Sequence, residues 1–288
     1  MISGVDIKLD WNGVTDKLPE GVRVIFYPKS AEGRKIDTYL SVRGGKVKVP
    51  PGRYSVVAYN YDTETVQIRG EEAYETIEAF TGYCNGLGIA GTEKMVWGPD
   101  PLYVVQINDL HIANSEEELL LDWKPKLVVK TYSFKIKVEG LEYVSSIVGS
   151  VEGMAGCYCL GRCCGMMNDA PIYFEAQGCS GEVTGSFTAF GLPEGAMSRA
   201  SLAIKFTLAF VKVDNTVQKI EVDITDVIVN SESGEGGGND EPSKDIELPL
   251  DDDEVKVDKP ENSSGGDGGI GGDVGDWGEE EEVPLPVI

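Results

Sequence analysis

The sequence predicts an all-β protein of two tandem β-sandwich domains followed by a Gly-rich acidic tail, and three observations carry that prediction. Apolar and polar residues alternate with period two in nearly every stretch up to about residue 250. Each alternating stretch is bounded by Gly, Pro, Asn or Asp, the residues that end strands and make turns. At 288 residues the chain also exceeds the commonest single-domain size, and its length suits two sandwich-sized units plus an extension.

Taken in order, "VDIKLDW" puts Val5, Ile7, Leu9 and Trp11 on one face and Asp6, Lys8 and Asp10 on the other, as in a strand with one side buried. "GVRVIFYP" is the next strand. In "GGKVKVPPGRYSVVAYNYD", Val47 and Val49 alternate with lysines, Pro50, Pro51 and Gly52 force a corner, and Tyr54, Val56 and Ala58 resume the alternation. The expectation there is a hairpin with a Pro-Gly corner, of a kind that recurs in prealbumin-like and immunoglobulin-like sandwiches. "TVQIRG" adds a short strand. In "EEAYETIEAF", Tyr74, Ile77 and Phe80 are spaced for about two helical turns, and residues 82–91 read as irregular loop. "PLYVVQIND" and "EELLLDW" return to strand, and the first domain is expected to span residues 1–124, ending before Pro125.

The second domain, residues 125–258, opens on "TYSFKIKVEGL", where Tyr132, Phe134, Ile136 and Val138 alternate with Ser133, Lys135 and Lys137. "SIVGSVEGM", "IYFEAQ", "EVTGSFTAFG", "ASLAIKFTLAFVKV" and "QKIEVDITDVIV" follow as strands spaced for an antiparallel sandwich. "SESGEGGGNDEPS" reads as a linker or long loop, and "KDIELPL", with Ile246, Leu248 and Leu250 alternating, as a last strand. Residues 259–288 are low in complexity. Glycine at this density resists ordering, so a mobile tail is expected unless its apolar end finds a partner.

Charge narrows the function classes. The formal charge is −24, and from residue 231 onward 19 acidic residues face three lysines, which leaves −8 for the first 230 residues. A surface this acidic repels phosphate backbones, and no basic stripe with interleaved aromatics offsets it, so nucleic acid and anionic membrane surfaces are excluded as partners. No apolar run approaches the ~20 residues of a membrane span. "MISGVDIKLDW" lacks the basic start and apolar stretch of a signal peptide, as would a cytoplasmic chain or one from which a targeting segment had been removed.

With "VDIKLDW", "GVRVIFYP", "VPPGRYSVVAYNYDTETVQIRG", "KLVVKTYSFKIKVEGLEYVSSIVGSVEGMAG", "GSFTAFG" and the Gly-rich run to "GDW" assembled, the chain resembles the FimB-type fimbrial anchor and minor-subunit lipoproteins of Bacteroidales. Within them it is most similar to a branch known mainly as a domain of unknown function in gut Bacteroides. The similarity runs from about Val5 to about Trp277, and its specificity lies in the order of these strings. It implies two tandem transthyretin-like (Greek-key) sandwiches, a cell-surface or outer-membrane location through a lipidated cysteine outside this sequence, and a part in pilus assembly, anchoring or cell adhesion. The implied partners are other fimbrial subunits, met by strand pairing. The chain departs from the family's pattern at "CYCLGRCC" and in ending with "VPLPVI".

Candidate chemistry is sparse. His111 is the only histidine, set in "NDLHIAN" and read as half-buried, and "GCSGE" at 178–182 is not a nucleophile elbow because the serine is displaced and has no histidine partner. "DDDE" at 251–254 lacks the glycine and closing glutamate of a calcium loop. The chain is therefore read as non-catalytic, with no cofactor and no metal.

"CYCLGRCC" packs four of the six cysteines into residues 157–164. As a hairpin with a turn at Gly161 and Arg162 it sets Cys159 opposite Cys164 and Cys157 opposite Met166; a three-residue loop would instead set Cys159 opposite Cys163. Strand geometry splits the thiols between faces. That favours thiols packed as small hydrophobes, or a disulfide such as Cys159–Cys164, over a four-thiolate metal site.

The C-terminal "EVPLPVI" is a candidate strand-docking segment. Pro284 and Pro286 remove N–H groups from one edge, so Val283, Leu285, Val287 and Ile288 could add to the rim of a sheet but could not fill a gap between two strands. The alternative function is glycan binding by solvent-facing aromatics, with Trp97, Tyr83 and Tyr103 as candidates.

Overall fold

The structure is a computed structural model that describes residues 3–14, 17–84, 94–167, 170–196, 203–233, 243–249 and 255–260. Its first strands are β1 (Ser3–Leu9), β2 (Gly21–Pro28), β3 (Ile36–Ser41), β4 (Gly44–Val49) and β5 (Gly52–Asn60). Then come β6 (Val66–Arg69), β7 (Glu78–Thr81), β8 (Tyr83–Cys84), β9 (Met95–Trp97), β10 (Tyr103–Ile112), β11 (Leu119–Trp123) and β12 (Lys126–Leu127). The rest is β13 (Lys130–Lys137), β14 (Val144–Glu152), β15 (Ala155–Cys159), β16 (Cys164–Met167), β17 (Ile172–Cys179), β18 (Glu182–Ala189), β19 (Lys205–Lys212), β20 (Val217–Asp223), helix α1 (Thr225–Ser233) and β21 (Ser243–Asp245).

The first sheet runs β11-β1-β4-β3-β2-β5-β10-β12. β3 and β4 share a single register pair, Ser41 with Gly44, and there the sheet folds over itself. Val5, Ile7, Val47 and Val49 from one side meet Val24, Phe26, Val56 and Ala58 from the other in one buried cluster. The alternation read from "VDIKLDW" and "GVRVIFYP" is thus the imprint of this core.

The expected Pro-Gly hairpin is corrected here. β4 pairs with β1 and β3, whereas β5 pairs with β2 and β10, so residues 50–52 arch from one layer to the other. Pro50 and Pro51 have no N–H to continue a ladder, which suits a chain leaving its sheet. The arch is tied by the Tyr54 hydroxyl, which donates to the Pro50 carbonyl at 2.9 Å.

The opposite face of β2, β5 and β10 is covered by a four-stranded sheet ordered β16-β15-β7-β6. Ile25, Tyr27, Val57 and Val104 pack there against Ile77, Ala79, Tyr158 and Leu160. The helix-like spacing of Tyr74, Ile77 and Phe80 makes only one turn: the Ile77 N–H donates to the Ala73 carbonyl, and the chain then extends as β7. Pairing with β6 and β15 outweighs the local spacing, leaving Ala79 inside and Phe80 outside beneath the Arg69 guanidinium. Arg23 pins the preceding turn to the first sheet through Glu71 at 2.6 Å, and it also pairs with Asp37 of the neighbouring β3 at 2.7 Å, which holds the Asp37 carboxyl below its usual range.

The third sheet has the order β20-β19-β14-β17-β18-β13-β21, with β9 added parallel to β17 and β8 on β9. Segments on either side of residue 124 therefore share all three sheets, the first through β12 on β10. Phe134, Phe174, Phe187 and Phe206 stack inside this sheet, and Phe174 and Phe134 lie across the ladder from Gly149 and Gly185, whose missing side chains leave room for the rings. Ser180 and Gly181, with φ of 53° and 80°, form the two-residue β17–β18 turn, so "GCSGE" is a hairpin tip.

"QKIEVDITDVIV" is not one strand. β20 ends at Asp223, whose carboxylate accepts from the Thr225 N–H at 2.8 Å, and α1 begins. Ile224 and Ile228, four residues apart and fully buried, aim together into the sheet's core. Glu232 fastens the helix by accepting from the Tyr132 hydroxyl at 2.8 Å and pairing with Lys130. β21 runs parallel to β13, and Ile246 and Leu248 enter the core as their alternation predicts.

Candidate functional site

The β15–β16 hairpin is the junction between the early and late parts of the chain. Every residue of β15 is buried, because the strand is flanked by β7 and β16 and has the first sheet beneath it. Its register sets Cys159 opposite Cys164, Cys157 opposite Met166 and Tyr158 opposite Gly165. Residues 160–163 make the turn, with Cys163 left-handed at φ 52°.

Tyr158 points into the core, and the neighbouring Cys157 and Cys159 point away from it, as strand alternation requires. Leu160 re-enters the core. Its N–H donates to the Ile77 carbonyl at 3.0 Å, while Gln106 from β10 donates to the Gly161 carbonyl at 3.1 Å and to the Tyr74 hydroxyl. A Cβ added at Gly161 would collide with the Tyr74 carbonyl oxygen. Sequence reading took Gly161 as a turn residue only; the close approach involves a backbone 87 positions earlier in chain order than Gly161 and leaves no local trace.

The thiols do not converge on a common centre. Cys159 donates to the Glu75 carbonyl at 3.7 Å, Cys163 to the Leu160 carbonyl at 3.6 Å and Cys164 to a Glu194 carboxylate oxygen at 3.4 Å, while Cys157 accepts from Arg69 at 3.9 Å. Burial pushes the Cys157 and Cys163 thiols up, and burial followed by the Glu194 hydrogen bond pushes Cys164 to about 11. These are protonated thiols at neutral pH, neither activated nucleophiles nor ready metal ligands. All six cysteines are unbridged.

Open sheet edges are the second feature. Among the described residues β11 pairs on one side only, parallel to β1, and β20 pairs on one side only, antiparallel to β19 over seven residues. β20 is guarded by charge at Lys219, Glu221 and Asp223, whereas β11 presents Leu119, Leu120 and Leu121 in succession with Leu120 exposed. Next to β20 the chain passes residues 256–258, where Gln218 bonds the Lys256 carbonyl at 2.6 Å and the Asp258 N–H at 3.0 Å. Val283, Leu285, Val287 and Ile288 lie outside the described residues, as does "DDDE" at 251–254.

Among the aromatics, Trp97 and Tyr83 are solvent-facing as expected, at 43% and 66% exposure. Tyr103 is a correction: it is 5% exposed, edge-on to Trp11 with ring centroids 5.3 Å apart, because the alternation of β10 turns it inward. His111 is also corrected, being exposed on β10 opposite Arg53 rather than half-buried.

The family model described as "Domain of unknown function (DUF5119)" matches residues 1–175. Fim4B of Bacteroides ovatus, provisionally named a fimbrium anchoring subunit, is 56% identical over 303 residues, covering 99% of this chain and 90% of the relative. A Bacteroides ovatus crystal structure provisionally described as an adhesin is 55% identical, with a TM-score of 0.77 over 91% of this chain and 94% of that one. The fimbrial anchor protein Mfa2 of Porphyromonas gingivalis, 11% identical, shares the fold with a TM-score of 0.54 over 85% of this chain and 88% of its own.

Proposed function

The chain belongs to the DUF5119 family and is related to Fim4B over nearly its whole length, and from these two facts we propose that it is a fimbrial anchor or accessory subunit, working at the cell surface in fimbria assembly and adhesion. The observation that carries this reading is the 56% identity across 99% of the chain. Deleting the gene in the parent bacterium is expected to move fimbriae from the cell fraction to the medium, scored by electron microscopy and by quantifying the major subunit in both fractions. Restoring the gene returns them to the cell. Unchanged cell-bound fimbriae in the deletion strain would overturn the reading.

The protein acts by strand pairing and without catalysis, is tethered to the outer membrane by a lipid anchor, and is built from tandem transthyretin-like units over residues 1–124 and 125–258. Val283 to Ile288 dock as a strand on an open sheet edge, a reading supported by β20, which among the described residues pairs with a strand on one side only. Truncation after Glu282 should alter self-association or thermal stability.

Cys159 and Cys164 form the pair best placed to bridge on oxidation, since they are directly opposed across the ladder. Six thiols should titrate in denaturant, and four after diamide treatment of the folded protein. The loss should disappear in both Cys159→Ser and Cys164→Ser. A loss that survives Cys164→Ser and vanishes in Cys163→Ser would assign the other partner.

A further inference from the structure

The outward face of the third sheet carries a groove of about 780 Å³ over β14 and β17, within the range of small-molecule sites. Tyr173, Glu175 and Gln177 alternate along β17 and face into it, Ser146 contributes from β14, and Leu141 and Val211 provide apolar surface. The Tyr173 hydroxyl donates to Glu175 Oε1 at 3.3 Å. Trp97 stands beside this groove, edge-on to Tyr173 with centroids 5.5 Å apart. It is held from three directions: β9 pairs with β17, the Trp97 N–H donates to the Gly82 carbonyl at 3.1 Å, and its own carbonyl accepts from the Thr81 hydroxyl at 2.6 Å.

A large indole left 43% exposed yet fixed through its backbone is a platform already ordered before any ligand arrives. The groove beside it offers hydroxyls, an amide and one carboxylate, and among the described residues no lysine or arginine lines it. That set disfavours a phosphate, sulfate or uronate, which would meet Glu175 and a chain of net charge −24. A strand-like peptide is disfavoured for another reason: over Ile147–Val151 β14 is paired on both sides, with β17 and with β19, so that part of the floor offers no open backbone edge. What matches is a ligand with an apolar C–H face to lie on an indole and neutral hydroxyls to meet carboxylate, amide and hydroxyl groups.

We propose that this groove binds a neutral oligosaccharide, with Trp97 stacking on one sugar ring while Glu175 and Gln177 hydrogen-bond its hydroxyls. The site is independent of the anchoring role, and its failure would leave that role untouched because the test reads sugar binding alone.

The test is affinity gel electrophoresis of the full chain through galactomannan, xyloglucan and yeast mannan, with polygalacturonate as the anionic control. Retardation by at least one neutral polysaccharide is expected, weakened about tenfold or more in Trp97→Ala, as for a central aromatic contact. Glu175→Gln should weaken it less, Tyr39→Ala, at an exposed aromatic on the first sheet, should leave it unchanged, and polygalacturonate should not retard the protein. Thermal melts of each variant separate loss of binding from loss of fold. Should Trp97→Ala melt early, Gln177→Ala keeps the platform and carries the same expectation of weakened binding. No retardation in any neutral polysaccharide, equal loss in Tyr39→Ala, or retardation by polygalacturonate alone would overturn the proposal.

Discussion

Phe206→Ala is expected to destabilise the protein by about 3–5 kcal/mol, the range for deleting a fully buried aromatic ring. Phe206 sits on β19 with its ring 5.0 Å from Phe134, 5.3 Å from Phe174 and 6.3 Å from Phe187. Each of those rings is fixed by its own strand, and β19 is itself held between β14 and β20, so the walls cannot close on the space the ring leaves. The variant therefore loses both the transfer free energy of the ring and the contacts along the resulting cavity. Phe206→Leu should recover more than half of the loss by refilling most of the volume. Urea unfolding followed by circular dichroism measures both. A change under about 1 kcal/mol in Phe206→Ala would show that the sheet can repack and that the four-ring cluster is not the centre of this core.

Gly161→Ala should also have a large effect, about 2–4 kcal/mol, although it adds only one methyl group. The obstruction is the Tyr74 backbone carbonyl rather than a pliable side chain, so the turn as a whole must withdraw. Withdrawal breaks the Gln106 bond to the Gly161 carbonyl and the Leu160 N–H bond to Ile77, and it unseats Leu160, which is fully buried. The expected result is a lower unfolding midpoint, with faster amide exchange at Leu160 and in β7 while the third sheet keeps its protection. Leu160→Ala is predicted to cost about 2–5 kcal/mol through the cavity instead, with the hairpin backbone in place. Wild-type melting of Gly161→Ala with the Leu160 amide still protected would sink the idea that this turn locks the two parts of the chain together.

Much of the fold was legible because most strands have one face in a core and therefore alternate. "VDIKLDW", "GVRVIFYP", "TYSFKIKV" and "GSFTAFG" fall within or across β1, β2, β13 and β18. The departures have local causes that could have been read. Two prolines in succession cannot continue a ladder, which pointed to an arch between layers rather than a hairpin. Ile224 and Ile228 share a helical face, and Asp223 followed by Thr225 supplies the polar start of α1. Tyr103 was legible too, since it alternates with Val105 on a strand whose partners were already apolar.

Most of the strands, the position of the cysteine hairpin and the concentration of acidic charge at the end of the chain can be read along the sequence, because each is a local property of composition or period. Long-range packing alone makes β15 complete a sheet with β6 and β7 and brings β9 to the sheet of β17, where Trp97 consequently stands on Tyr173. Those pairings join residues tens of positions apart, and strand edges carry nearly the same backbone donors and acceptors whatever their side chains. Which edges meet is settled by how all the apolar faces can be buried at once, and no single stretch of sequence encodes that.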